Sequence, residues 1–226
     1  MNKHISEQFD EELQTARTLL MEMGGLVEQQ IQNACSSLIG QDEERARRVM
    51  HLEERVNQLE LELDDQCIQI IARRQPAASD LRMMISVLRA STDLERIGDE
   101  SERIAKMALA VSHLEYPTDQ YADVRAMNER VAIMVSGALD AFARTDVEAA
   151  EAVIRADEEV DDAYRDILKR LVADMQEQPD AIELSLNITW AARALERIGD
   201  HAKNIAEYVV YLVRGEDVRH NKVASG

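Results

Sequence analysis

Two pairs of carboxylates, each set four residues apart around a glycine, are the feature of this chain best suited to chemistry. Glu95 and Asp99 stand in LERIGD at Leu94 to Asp99, and Glu196 and Asp200 in the same hexapeptide at Leu195 to Asp200. On a helix, side chains at i and i+4 leave successive turns of one face, and paired carboxylate oxygens there suit hard cations such as Mg²⁺, Mn²⁺, Ca²⁺ or Fe²⁺/³⁺. Two acids are too few for tight binding, so further oxygens must come from a neighbouring helix, water, phosphate or a second copy of the chain. The motif costs helix stability, about 1 kcal/mol for the glycine and a few tenths for the like charges. A surface that needed only to be polar would drift after duplication, yet the hexapeptide is identical in both places while most of its flanks differ.

Other reactive constellations are missing from the sequence. The chain has no GxxxxGK[ST], GxGxxG, HExxH or GxSxG sequence, and no Glu-x-x-His pair of the di-iron bundle type. His4, His51, His113, His201 and His220 are scattered; His201, directly after Asp200, is the one candidate outer ligand. Cys35 and Cys67 lack CxxC spacing and read as buried packing residues of a protein in a reducing compartment. Trp190 and the methionines, including Met83 and Met84, read as core filler.

The elements that must position the carboxylates are helices. Of 226 residues 46% are hydrophobic and only 4% aromatic, with 8 glycines and 3 prolines, a composition suited to packed helices. Pro76, Pro117 and Pro179 separate long stretches of helical apolar spacing. The spacing predicts a helix from about Ser6 to Ile39, with Gly24-Gly25 as a kink and Gly40 ending it. A second is capped by Asp42 and stopped before Pro76, and a third runs from Ser79 to about His113. After a linker at Glu115 to Asp119, the order recurs with helices from Gln120 to Arg144, from Thr145-Asp146 onward, and from Asp180 to Gly215. Asp42 to Val49 matches Asp146 to Val153 at four of eight positions with an offset of 146 − 42 = 104, against 195 − 94 = 101 for the hexapeptide. The prediction is an all-α chain of two tandem similar three-helix bundles, residues 1–116 and 117–226.

On the last helix, Leu184, Ile188, Ala191, Leu195, Ile198, Ala202, Ile205, Ala206, Val209 and Val213 fall on one buried arc, leaving Glu196, Asp200, Lys203 and Glu207 as an exposed stripe. In the first copy Glu95, Asp99, Glu102 and Lys106 line the corresponding side. Gly98 and Gly199 lie between stripe and core, where a missing side chain admits a close neighbour or an ion. The net charge of −18 repels phosphate backbones and anionic headgroups, which excludes nucleic acid as an expected partner and suits a basic protein face. No apolar stretch reaches membrane-spanning length and no secretory pattern opens the chain, so a cytoplasmic location is expected.

DLERIGDESERIAK at Asp93 to Lys106, ALERIGDHAKNIAE at Ala194 to Glu207 and ARRQPAASDLR at Ala72 to Arg82 together resemble the PhoU family of phosphate-signalling proteins. The resemblance implies two three-helix bundles and a cytoplasmic, non-enzymatic negative regulator of the phosphate-starvation response. Its implied partners are the ATPase of the phosphate ABC transporter (PstB-like) and a sensor histidine kinase (PhoR-like), met at the membrane only through those partners, and it implies a homodimer. It also implies metal ions, of the Mg, Mn, Fe or Zn kind, on Glu95 with Asp99 and Glu196 with Asp200, in one shared site or two. Asn204, one turn past the second motif, joins that ligand set. Arg103 stands at the equivalent place in the first repeat, so the second pair is expected to be the better cation site. The competing expectation is a metal-dependent hydrolase acting on a phosphate compound through the same four acids; it lacks an evident nucleophile or general base.

Overall fold

In the computed structural model, which describes residues 2–112, 121–178 and 182–216, the described residues form six helices. They are α1 (Asn2–Gly40), α2 (Glu43–Arg74), α3 (Ala78–Val111), α4 (Ala122–Arg144), α5 (Val147–Glu177) and α6 (Ile182–Arg214). Helices α1, α2 and α3 pack against one another, as do α4, α5 and α6. The two bundles meet mainly along α3 and α6, with a smaller contact between α1 and α4.

Local chemistry explains where the helices turn. Gln41 and Thr145 adopt left-handed backbone, φ 51° and 55°, immediately before the caps. Asp42 then accepts a hydrogen bond from the Arg45 amide at 3.0 Å, and Asp146 from the Ala149 amide at 3.1 Å. Such a cap contributes about 1 kcal/mol. The two corners are therefore one device used twice, 104 residues apart. Before Pro76, α2 ends on Gln75, also left-handed, whose amide bonds the Ile71 carbonyl.

The predicted kink at Gly24-Gly25 is absent: α1 runs unbroken through both glycines. Gly24 is instead where α1 approaches α4, because a Cβ there would sit 2.6 Å from Leu139 Cδ2. Three side-chain expectations are corrected as well. Trp190 is 60% exposed, with Ile182 and Leu186 beside it at 42% and 45%. At about 100° per residue these three lie opposite the buried arc, so their helix position outweighs their size. Val213, on the buried arc by angle, is 49% exposed because it stands in the last turn of α6. Glu207, placed on the exposed stripe, is buried. Cys35 and Cys67 are buried free thiols, held up at about 12 and about 11 chiefly by burial, which makes them packing residues rather than nucleophiles. The linker at Glu115 to Asp119, Pro179 and Asp180, and His113 and His220 lie outside the described residues.

Candidate acidic sites on the two repeats

The motif helices α3 and α6 are fastened to each other by buried charge. Asp93 on α3 receives three contacts from α6: His201 Nδ1 at 2.7 Å, Asn204 Nδ2 at 3.1 Å and Tyr208 Oη at 2.7 Å. The Arg89 guanidinium covers the Tyr208 and Tyr211 rings, 5.8 Å from each centroid. Two turns on, the buried Glu100 binds Arg197 of α6 at 2.9 Å and Arg103 of its own helix at 3.1 Å. A buried carboxylate is tolerable because it is multiply hydrogen-bonded and paired.

This seam redirects three residues that the sequence placed elsewhere. His201 and Asn204, read as additions to the second carboxylate pair, turn to Asp93. Arg103, read as crowding the first pair, is held by Glu100. Asp93 itself was not singled out; its counterpart 101 residues on is Ala194, and its partners all come from the other repeat.

With Arg103 drawn away, the first pair faces α2. Glu53 of α2 is buried, and Gln30 of α1 is fully buried beside it. Gln30 Nε2 donates to Glu53 Oε2 at 2.7 Å, whereas Glu53 Oε1 and Gln30 Oε1 are buried acceptors without a donor. Burial first, then the charges of Asp99, Glu95 and Glu102, outweigh that hydrogen bond and push the Glu53 carboxyl up to about 7. Glu95 is also raised, by burial, Asp99 and Glu60, against the opposing influence of Arg96 and His201. Gly98 explains the close approach: any Cβ there would run into Glu53 Oε2. At the rim Glu102 pairs with Lys106 at 2.5 Å.

The second pair faces α5 and meets different chemistry. Asp157 occupies the place of Glu53, since 157 − 53 = 104. Its partner is Lys203, whose Nζ lies 2.5 Å from Asp157 Oδ2. Burial disfavours the Lys203 ammonium, but its bond to Asp157 and the charges of Asp157, Glu207 and Asp200 prevail and keep it above the ordinary lysine range. Arg193 pairs with Glu196 Oε1 at 2.6 Å, leaving Glu196 Oε2 buried without a donor. Glu196 and Asp200 are both raised, each first by burial and then by acids, including Asp157 and Asp161. Gly199 faces Val160, whose Cγ1 would lie 3.3 Å from an added Cβ; Met134 stands where the first repeat has Gln30.

Neither group is a finished metal centre. Among the described residues no three His, Cys, Asp or Glu side chains converge closely enough to hold an ion. The donor sets nevertheless differ in fit. Around Glu53 two buried oxygens lack any donor, and Glu53, Glu95 and Asp99 supply the oxygen ligands that hard cations prefer. Around Asp157 a lysine ammonium already lies against the buried carboxylate, and Arg193 holds Glu196. In the first set a neutral amide stands where the second has an ammonium. Glu53, Gln30, Asp157 and Asp161 were missed in the sequence, although carrying the 104-residue offset four positions past Val49 and Val153 places Glu53 on Asp157.

The comparisons agree with this duplicated architecture. The PhoU domain matches twice, at residues 20–108 and 124–209. The chain is 49% identical to the phosphate-specific transport system accessory protein PhoU homolog of Pseudomonas aeruginosa, over 97% of this chain and 91% of that protein. To the accessory protein PhoU of Escherichia coli it is 40% identical, with the same shares covered. A crystal structure of PhoU from Pseudomonas aeruginosa superposes with a TM-score of 0.90 at 48% identity, covering 92% of this chain and 100% of that one. The phosphate transport system regulatory protein PhoU of Streptococcus pneumoniae superposes with a TM-score of 0.86 at 29% identity, covering 93% and 99%. With two matched domains, six helices in the same arrangement and near-complete alignment, the chain belongs to the PhoU family.

Proposed function

We propose that this protein is an accessory regulator of phosphate uptake that acts by contact rather than catalysis. In this reading it restrains the phosphate-starvation response when phosphate is plentiful. It does so by linking the phosphate transporter ATPase (PstB-like) to a sensor histidine kinase (PhoR-like). The observation that carries the reading is alignment, over 97% of the chain, with accessory proteins of the phosphate-specific transport system. The net charge of −18 supports it, because an acidic surface favours and steers a basic partner face. Among the described residues no helix is long and apolar enough to cross a membrane, consistent with a cytoplasmic protein that reaches the membrane through its partners. We take the working unit to be a homodimer.

Metal binding is the second part of the proposal. Glu95 and Asp99, with Glu53 behind them, would hold a Mg, Mn, Fe or Zn ion. A bound cation there would neutralise the facing carboxylates and brace α2 against α3. These residues hold and orient it, and Gly98 makes the room.

Removing the gene should derepress a phosphate-starvation reporter in phosphate-rich medium. Tagged protein from phosphate-replete cells should recover the transporter ATPase or the sensor kinase after mild membrane solubilisation. Unchanged reporter output together with recovery of neither partner would overturn the adaptor reading.

A further inference from the structure

The equivalence between Glu102 and Lys203 decides how the two acid clusters differ. The two positions are 203 − 102 = 101 residues apart, the offset of the hexapeptide, so each stands one turn past its motif facing the neighbouring helix. In the second repeat the lysine reaches across to α5 and places Nζ on Asp157 at 2.5 Å. In the first repeat the same position is an acid that turns to Lys106, and the buried carboxylate on α2 is hydrogen-bonded by a neutral amide. Two buried acceptor oxygens there, Glu53 Oε1 and Gln30 Oε1, have no donor. A carboxylate nearly excluded from water needs a counter-charge or a proton. One repeat supplies it covalently and the other does not.

We propose that Lys203 is the resident cation of the second cluster, so that this protein takes a metal ion in its first repeat only and the second cluster works without one. The proposal rests on the reading of the acid clusters as cation sites. It reverses the expectation drawn from Arg103, which the seam has removed from the first cluster. The ammonium of Lys203 is tethered and carries one charge, so it fixes α5 to α6 permanently. A divalent ion at the first cluster would fix α2 to α3 only when bound. The duplicated fold thereby keeps one constant joint and one joint that responds to an ion.

The test is Mn²⁺ titration of the full chain after chelator treatment, with bound Mn²⁺ counted by elemental analysis and folding checked by circular dichroism. Wild-type protein should bind one equivalent, weakened at least about 10-fold by Glu53→Gln. Lys203→Glu should add a second equivalent, and Glu102→Lys should remove the first. The double exchange, Glu102→Lys with Lys203→Glu, should return one equivalent that is now sensitive to Asp200→Asn. Two equivalents in the wild type, one of them abolished by Asp200→Asn, would overturn the asymmetry while leaving metal binding intact. No Mn²⁺ bound by any variant would overturn the metal reading itself, and no gain in Lys203→Glu would remove the role of the lysine.

Discussion

Glu53 and Asp157 occupy the same place in two copies of one fold, and their surroundings are opposite. Glu53 lies against an amide and the charges of three acids, its own Oε1 and Gln30 Oε1 lack a donor, and its carboxyl is raised to about 7. Asp157 lies against an ammonium. The difference turns on two substitutions relative to the partner repeat, Gln30 against Met134 and Glu102 against Lys203. It teaches that an identical surface motif can be kept while the layer beneath it decides whether the carboxylates need an external ion.

That contrast depends first on the seam, because Asp93 and Glu100 hold His201 and Arg103 out of the clusters. Asp93→Ala would strip one acceptor from His201, Asn204 and Tyr208 together. It should destabilise the chain by about 3 kcal/mol, seen as a lower urea midpoint. A change below about 1 kcal/mol would show that the seam does not hold the repeats together.

The next largest effect should distinguish the two carboxylates directly. The folded-state Glu53 carboxyl lies above its unfolded value, so its contribution favours folding at low pH and is lost as pH rises from about 4.5 through about 7. In chelator, Glu53→Gln should therefore stabilise the protein by on the order of 2 kcal/mol at pH 8 and leave it nearly unchanged at pH 4. Asp157→Asn should act with the opposite sign, because it breaks the contact with Lys203. Since Lys203 is one-third exposed, solvent screening limits that cost to about 1 kcal/mol. Equal signs for the two substitutions at pH 8 would erase the comparison.

The glycines sharpen it at the smallest scale. Alanine gains about 1 kcal/mol of helix propensity over glycine. At Gly199 the obstacle is one methyl group at 3.3 Å, so Gly199→Ala should stay within about 0.5 kcal/mol of wild type. At Gly98 the obstacle is the buried carboxylate of Glu53, and Gly98→Ala should destabilise by about 1 kcal/mol; thermal melts of the two proteins would rank them.

Much of the fold was legible in the sequence because it rests on local rules. The caps at Asp42 and Asp146, the stop before Pro76 and the buried arc from Leu184 to Val209 all follow from residue type and helical spacing. The acids of the hexapeptide could be found for the same reason, as a repeat at fixed offset. The partners could not, because they come from other helices. Nothing local to Glu53 says that it is buried beside Gln30, and nothing local to Asn204 says that its amide crosses to Asp93. Trp190 misled because hydrophobicity was weighed without its angle on the wheel. Glu207 misled in the other direction: by angle it lies on the polar stripe, yet it is buried.

The most direct test of the central contrast is the position of a bound ion. Crystals grown with Mn²⁺ and measured at the manganese absorption edge should show one anomalous peak, between α2 and α3 beside Glu53, Glu95 and Asp99. A peak of equal height between α5 and α6, beside Asp157 and Asp200, would contradict the account.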